Sequence, residues 1–175
     1  RARQDCCING ELLLRVVPGF GRLRFELPAG GSELIGQWPA SWLVGLGTPW
    51  NTLQPSGTLK LSTPGLTLEQ VQGRWRFDGL AAMDLEQMAS RVSTLATLGS
   101  YRLVVSGAAN SADAATLQLT TASGPLLLSG EGQWAGSKLR FNGQASAAPG
   151  AEAVLSNLLN IIGRRQGAVS VISIG

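Results

Sequence analysis

The sequence predicts a mainly β (α+β) fold, in which a curled or rolled antiparallel sheet is built from repeated hairpins and covered by two or three short helices. The first observation is an internal repeat: the segment from Leu59 to Trp75, LKLSTPGLTLEQVQGRW, reappears from Leu117 to Trp134 as LQLTTASGPLLLSGEGQW. The second is that many short segments alternate apolar and polar residues, which is typical of half-buried strands. The third is that apolar residues recur with helical spacing in only two longer segments.

Each copy of the repeat has the pattern of a strand, a turn that contains Gly, a second strand that ends in Trp, and then the tetrapeptide Arg-Phe-Asp/Asn-Gly. This pattern predicts one β-hairpin unit used twice, over residues 59–79 and 117–143. A chain of 175 residues can bury one core but is short for two. We therefore expect residues 1–175 to form a single domain.

Two elements are predicted before the first copy. The arms Glu11 to Val17 and Arg22 to Leu27 flank a Pro-Gly-Phe-Gly turn, and the second arm alternates apolar residues with charges, so a hairpin is predicted over residues 10–27. The Trp-rich segment 38–51 follows. A short helix is expected to begin there at Pro39, because Pro suits the first helical turn.

The first copy predicts strands near residues 57–63 and 66–79, with a β-bulge at Glu69-Gln70 where the alternation slips. From Asp84 to Leu98 the apolar residues recur every three or four positions, which predicts an amphipathic helix. Asp84 is its expected N-cap.

The second half of the chain continues the sheet. A strand is predicted from Tyr101 to Ser106, followed by the three strands of the second copy near 115–121, 125–134 and 137–146. A second amphipathic helix is predicted over 151–162, closed by Gly163 and by Arg164 and Arg165 at its C-terminus. The last predicted strand covers residues 168–174.

The composition is apolar for a domain of this size. Charged residues make up 14% of the chain and hydrophobic residues 44%, whereas about 25% charged residues is usual. The chain is therefore expected to bury much of its surface or to offer some of it to a partner. Its net charge of +3 is scattered. The pairs Arg22/Arg24 and Arg74/Arg76 each lie on one strand face, and we interpret them as a solvated face in preference to a phosphate-binding one.

The sequence predicts no catalytic, cofactor-binding or metal-binding residues and therefore no enzyme. The chain has no His, which removes the commonest general base and metal ligand. Its two Cys residues, Cys6 and Cys7, are adjacent, so they cannot form a disulfide framework; a vicinal bond, an interchain bond or two thiols remain open. No phosphate-binding glycine motif is present.

Three Trp residues are the candidate partner-binding residues. Trp38, Trp42 and Trp50 lie within thirteen positions, interleaved with Pro and Gly. Three such rings exceed what one short helix buries easily, so they either plug an open end of the sheet or form a docking site. Trp75 and Trp134 are expected on the inner face of the hairpins, where large aromatic residues usually belong to the core.

Several motifs in the second half of the chain resemble a known family. They are MDLEQMASRVSTLATLGSYRLVVSG from Met83, GPLLLSGEGQW from Gly124, RFNGQASAAPG from Arg140 and LLNIIGRRQG from Leu158. Together they resemble type II secretion system protein N of Gram-negative bacteria. The resemblance implies a non-catalytic component with one N-terminal transmembrane helix in the inner membrane and a periplasmic domain. We expect the anchor to precede Arg1, since no stretch of the chain is long and apolar enough to span a bilayer.

The resemblance also implies partners among other secretion components, either the outer-membrane secretin or the inner-membrane platform. No nucleic-acid partner is expected, because the basic residues are not clustered with aromatic residues on one face. Two functions compete. One is a protein-interaction or scaffold module, for which the second strand of either copy, or the strand 168–174, offers an edge for strand addition. The other is a lipid-binding or lipid-transfer domain with an apolar groove similar to that of AsmA-like proteins.

The extent to which the predicted helices 84–98 and 151–162 cover the sheet distinguishes the two functions, because a lipid groove keeps its apolar face open and a scaffold fills it. Each helix has one apolar face about three turns long, so part of the apolar sheet is expected to remain uncovered. The inward positions are expected to be those of the two Trp residues of the repeat together with Leu59, Leu61, Leu66, Leu68, Leu117, Leu119 and Leu127.

Overall fold

The computed structural model describes residues 15–19, 22–27, 34–46, 50–71, 74–107, 114–135 and 138–175. The strands of these residues are β1 (Arg15–Gly19), β2 (Arg22–Leu27), β3 (Leu34–Pro39), β4 (Pro55–Val71), β5 (Arg74–Ser90), β6 (Gly99–Gly107), β7 (Ala114–Ser123), β8 (Leu126–Ala135), β9 (Lys138–Ala147), β10 (Arg164–Gln166) and β11 (Val169–Ile174). The helices are a 3₁₀ helix (Ala40–Leu46), α1 (Trp50–Leu53) and α2 (Glu152–Ile162).

All the described strands belong to one antiparallel sheet of eleven strands, in the order β1-β2-β4-β5-β6-β7-β8-β9-β11-β10. The long strand β4 pairs with β2 along one half and with β3 along the other. The sheet that the described strands form is curled rather than closed. The predicted fold class, a curled antiparallel sheet with a few short helices, is confirmed.

The two faces of the sheet differ sharply in chemistry. Strand register places Leu61, Met83, Leu103 and Leu119 in one row across β4 to β7, and the row continues through Gly130, Gly143 and Ile172. We call the face that carries this row the apolar face. On β4 to β9 its described positions include no charged residue. The opposite polar face carries Lys60, Asp84, Arg102, Glu131 and Arg140 on the same strands.

A bulge in β4 keeps its apolar residues on one face. Ser62 pairs with Ala82 and Gly65 with Leu80, so β4 has one extra residue between these pairs. Without this extra residue, the alternation of side chains would place Leu61 and Leu66 on opposite faces. Thr63 stabilises the bulge because its buried hydroxyl donates a hydrogen bond to the Leu80 carbonyl and accepts one from the Gly65 N–H.

A second bulge lies in β5 and explains why the predicted helix from Asp84 to Leu98 is wrong. Leu85 pairs with Tyr101 and Met88 with Gly99, which leaves one extra residue on β5. Gln87 adopts a φ of 50° there, and its N–H donates to Ser100 Oγ at 3.1 Å. The bulge brings Leu85 and Met88 to the same face at a spacing of three, which imitates a helical pattern in the sequence.

Other parts of the first copy also differ from the prediction. The expected turn between residues 63 and 66 is wrong, since β4 runs through it and pairs with β5 from Leu66 to Val71. The same pairing shows that the predicted bulge at Glu69-Gln70 is wrong. In the second copy the hairpin forms as predicted, with β7 and β8 meeting at Gly124 and Pro125.

The predictions for the remaining segments have mixed outcomes. The strands β1 and β2, the helical segment after Pro39, β6, α2 and β11 are confirmed where the structure describes them. Arg164 and Arg165 belong to β10 and not to the end of α2. Leu127 was expected to point inward but lies on the polar face. It pairs with Ser146, whereas the apolar row of these two strands passes through Gly130 and Gly143. Residues 11–14, the remainder of the first predicted arm, lie outside the described residues.

Strand order also corrects the expected edges. The second strands of the two copies correspond to β5 and β8, and each has a paired strand on both sides, although Arg74 to Asp78 of β5 pair only with β4 among the described residues. The last strand, β11, pairs with β9 on one side and with β10 over Val169 to Val171 on the other. None of these three strands is open along its full length for strand addition.

Short helices and a loop cover the apolar face at one end of the sheet. We call this layer the cap; it consists of the 3₁₀ helix, α1, residues 91–98 and α2. The main buried core lies beneath it and contains Ala40, Leu53, Leu59, Met88, Leu98, Tyr101, Leu126, Ala145, Leu155, Leu158 and Leu159. Hydrogen bonds fix the cap to the strands: Ser170 Oγ donates to the Leu159 carbonyl at 2.6 Å and Ser90 Oγ to the Leu53 carbonyl at 2.5 Å.

Glycines on the apolar face make room for an aromatic ring. A Cβ atom built on Gly130 would lie 2.4 Å from Cζ of Phe141, and one on Gly143 would lie 2.8 Å from Cε1 of the same ring. Phe141 therefore lies across the backbone of β8 and β9, where it is 6% exposed. This ring covers sheet backbone that the glycines would otherwise leave open.

Among the described residues, no helix has the length and apolar character needed to cross a membrane.

The buried phenol of Tyr101 generates a testable pH dependence. Tyr101, the only Tyr of the chain, is 4% exposed, and its hydroxyl donates to the Leu126 carbonyl at 3.0 Å. Burial raises the pKa of this phenol far above its ordinary value of 10.0. A group whose pKa is higher in the folded state stabilises that state fully below the unfolded pKa and less as the pH rises above it.

We predict that the free energy of unfolding falls more steeply above pH 10 for the wild type than for Tyr101→Phe. At pH 11 the wild type should have lost about 1.4 kcal/mol more of its unfolding free energy than the variant. Urea denaturation of both proteins between pH 7 and pH 11 measures this difference. At pH 7 the variant should be less stable by about 1 kcal/mol, since the hydrogen bond to Leu126 is lost. Tyrosinate absorbance that rises near pH 10 while the protein remains folded would contradict the prediction.

Candidate functional site

Beyond the cap, no described element covers the apolar face of the sheet. Ten apolar residues on eight strands form this part of the face, and we call them the uncovered face: Leu23, Phe25, Leu66, Leu68, Phe77, Val105, Leu117, Trp134, Leu139 and Ile174. The core cluster beneath the cap includes none of these ten. Eight of these residues are half-buried, and Trp134 and Ile174 are exposed.

Two members of the uncovered face stand out by their exposure. Trp134 is 40% exposed at the end of β8, and Ile174 is 52% exposed at the end of β11. On β9, Leu139 pairs with Trp134 of β8, and Phe141 pairs with Ile174 of β11. The two exposed residues therefore lie on the two strands that border β9, on the same face of the sheet. An aromatic ring beside aliphatic side chains, with no charge between them, can bind an apolar surface and offers no group for acid–base chemistry.

The charges of the polar face are largely paired across strands. Lys60 Nζ lies 2.7 Å from a carboxylate oxygen of Glu86, and Arg102 Nη1 lies 3.2 Å from one of Asp84. Arg24 Nη2 donates to Glu69 at 3.3 Å. Arg24 is therefore engaged with a carboxylate, as expected for a solvated strand face.

Two adjacent shallow depressions, of about 510 and 520 Å³, lie on the polar face over β7, β8 and β9. Both are lined by Gln118, Glu131 and Asn142, with further amide and hydroxyl side chains around them. Glu131 and Arg140 are the charged residues of this lining, and no second acid lies in it. The depressions can form hydrogen bonds, but they lack a pair of acidic groups for hydrolysis.

The three candidate Trp residues lie at the cap and not on the uncovered face. Trp38 is in β3 and Trp42 in the 3₁₀ helix, with ring centroids 6.4 Å apart and planes tilted by 38°. Trp38 Nε1 is buried with no hydrogen-bond partner among the described residues. Trp42 is 53% exposed. Trp50, the first residue of α1, packs separately against the core cluster.

The structure therefore brings Trp38 and Trp42 together and gives Trp50 a different place. Trp50 covers core residues, as a plug would, whereas Trp42 offers most of its ring to solvent. The sequence-based reasoning missed Ile174 and Leu139 as surface candidates. The alternation of residues within β9 and β11 indicates that Leu139 and Ile174 lie on the apolar face. The sequence does not reveal which part of that face the cap leaves uncovered.

The comparisons with known proteins give one match. A family model described as type II secretion system (T2SS), protein N, matches residues 1–172, which is nearly the whole chain. The comparisons with curated proteins and with solved structures gave no match.

The different surroundings of Trp42 and Trp50 predict different effects on stability. We expect Trp50→Ala to lower the free energy of unfolding by about 2–3 kcal/mol, because the ring packs against buried residues. Trp42→Ala should cost about 1 kcal/mol or less, since Trp42 is 53% exposed and the ring contact with Trp38 is lost. Urea denaturation followed by circular dichroism measures both values. A larger loss for Trp42→Ala than for Trp50→Ala would show that Trp42 is the plug.

Proposed function

The chain belongs to the type II secretion system protein N family, and we propose that it acts as a non-catalytic interaction module that supports assembly or stability of the secretion machine. The observation that carries this proposal is the uncovered face, where Trp134 and Ile174 remain exposed beyond the cap that covers the other end of the apolar face. Proteins seldom leave such a face to water unless a partner binds it.

The proposed absence of catalysis rests on the available chemical groups. The chain has no His, and no group of three metal-binding side chains occurs within the described ranges. Burial raises the pKa of Tyr101 far above its ordinary value, and this side chain lies beneath the cap with its hydroxyl bound to a backbone carbonyl. A buried neutral phenol stabilises the fold and is not placed to meet a substrate.

We propose that the partner is another component of the secretion machine, either the secretin or a protein of the inner-membrane platform. The family assignment supports a place in this machine, which spans the cell envelope. We further propose that this domain lies in the periplasm and is held at the inner membrane by a single N-terminal helix. An apolar, uncharged face suits a stable contact within such an assembly better than a transient one.

Lipid binding on the same face is the second candidate function. The predicted helix 84–98 would have covered part of this face, but that segment is strand and loop, so more apolar surface is left than the sequence suggested. The positions of β4 to β9 on this face carry no charge, which suits acyl chains as well as it suits protein side chains. A lipid would then occupy the uncovered face that a protein partner would otherwise cover.

Two substitutions on the uncovered face and one matched control test the interaction module. We predict that the wild type captures the purified periplasmic domain of the secretin or of a platform protein, and that Trp134→Glu and Ile174→Glu weaken capture at least tenfold. Leu127→Glu is the control, because Leu127 lies on the same strand as Trp134, is 38% exposed and faces the opposite side. Quantitative pull-down at fixed concentrations measures the three effects.

Native mass spectrometry of the same proteins separates the two candidates. A lipid that accompanies the wild type and is lost in Trp134→Glu, together with no capture of any secretion component, would replace the interaction module by lipid binding. Equal capture by all four proteins would show that the uncovered face is not the binding surface.

A further inference from the structure

The polar face of the sheet has a charged part and a nearly neutral part. On β5 and β6 charged side chains pair across strands, as Arg102 does with Asp84. On β7, β8 and β9 the two adjacent depressions are lined mainly by amide and hydroxyl side chains, and Glu131 and Arg140 are the charged residues of this lining. The surface over these three strands therefore suits hydrogen bonding more than ion pairing.

Strand register arranges the lining in three rows. The central row, Gln118, Glu131 and Asn142, crosses β7, β8 and β9 and lines both depressions, so the two depressions are continuous. We call them together the polar trough. Its outer rows are Thr116, Gln133 and Arg140 on one side and Thr120, Ser129 and Gln144 on the other. Strands lie about 4.8 Å apart and same-face residues of one strand about 7 Å apart, so these groups cover roughly 10 by 14 Å.

Most of the hydrogen-bonding groups in the polar trough have no partner within the part of the chain that the structure describes. The amides of Gln118, Gln133 and Gln144 make no side-chain hydrogen bond to it, and Glu131 and Arg140 form no ion pair with it. Each of these amides therefore offers two N–H donors and an acceptor oxygen to a ligand.

We propose that the polar trough binds a chain of neutral sugars. A sugar hydroxyl both donates and accepts hydrogen bonds, and one side-chain amide can bind two neighbouring hydroxyls through its N–H and its oxygen. The carboxylate of Glu131 accepts hydrogen bonds from hydroxyls, and the guanidinium of Arg140 donates to them. Two depressions that share a central row suit a ligand of repeating units, because successive sugars can each contact that row and one outer row.

Other classes of ligand suit the polar trough less well. The strands β7, β8 and β9 each have a paired strand on both sides, so an extended peptide cannot add here as a further strand. Arg140 is the single cation of the lining, which is too few for nucleic acid. Glu131 is its single carboxylate, which is too few for a calcium site. The centre of a protein interface is usually rich in aromatic rings, and this lining has none.

The affinity for sugars should rise steeply with chain length. Because the lining has no aromatic ring on which a sugar could stack, binding has to come from hydrogen bonds. Each of these bonds replaces a bond to water and contributes little on its own. A single sugar reaches only part of the polar trough, whereas a chain can engage all three rows at once.

Saturation-transfer NMR with the 175-residue protein tests this binding. The probes are hexamers of N-acetylglucosamine (chitohexaose), of β-linked glucose (cellohexaose) and of α-linked glucose (maltohexaose), each compared with its monosaccharide. We expect at least one hexamer to bind with a Kd of about 1 mM or below, about tenfold tighter than its monosaccharide. Since these sugars are uncharged, the affinity should change less than about twofold between roughly 50 and 500 mM salt. The hexamer that binds identifies the class of sugar.

Substitutions in the central row locate the binding on the protein. Gln118→Ala and Asn142→Ala should each weaken binding of that hexamer about threefold, and the double variant about tenfold. Both side chains are exposed, so the variants should remain folded, which circular dichroism checks. Gln37→Ala is the matched control, because Gln37 pairs with Lys60 on the polar face but lies on β3, which β4, β5 and β6 separate from the polar trough.

Several results would overturn the proposal. They are no binding of any hexamer up to about 10 mM, equal affinity for hexamer and monosaccharide, loss of binding at high salt, an unaffected double variant, or an equal loss in Gln37→Ala. The polar trough and the uncovered face lie on opposite sides of the sheet. Trp134→Glu should therefore leave sugar binding unchanged, and the double variant should leave capture of secretion components unchanged. A failure of sugar binding is thus distinguishable from a failure of the interaction module.

Discussion

The one-residue bulges in β4 and β5 are the constraint on which the rest of the structure depends. Side chains of a strand alternate between two faces, so an extra residue moves every following side chain to the other face. The bulge at Thr63 aligns Leu59 and Leu61 with Leu66 and Leu68, and the bulge at Gln87 aligns Met88 with Leu85. Since these two strands share fourteen paired positions, one continuous apolar face across the sheet requires both bulges.

This apolar face is then used in two ways. Beneath the cap it forms the core, where Leu155, Leu158 and Leu159 of α2 are almost completely buried. Beyond the cap no described element covers the same face, because the segment that could have covered it continues as strand β5 and a short loop. The molecule thus combines a stable covered end with an apolar uncovered end on a single sheet. Its charges lie mainly on the opposite face, where they pair across strands.

Much of this fold could be predicted from the sequence, and the failures have a common physical cause. Strands such as β7 to β9 and the helix α2 have regular periods, and their predictions were correct within a few residues. The predicted helix at 84–98 failed because a bulge gives Leu85 and Met88 the spacing of a helix turn. Bulges depend on contacts with neighbouring strands, such as that of Ser100 with Gln87, which a single sequence does not display. For the same reason a single sequence does not reveal that Ile174 is exposed, because the tertiary structure decides which residues the cap covers.

The central claim, that a secretion component binds the apolar face beyond the cap, is tested most directly by photocrosslinking at neighbouring positions. A photoreactive amino acid would be placed at Leu117, Trp134 and Leu139, and at the adjacent polar-face positions Thr116, Gln133 and Arg140, in cells with a complete secretion machine. The account predicts crosslinks to a secretion protein from the first three positions and none from the second three. Crosslinks from the polar-face positions, or equal yields from both sets, would contradict it.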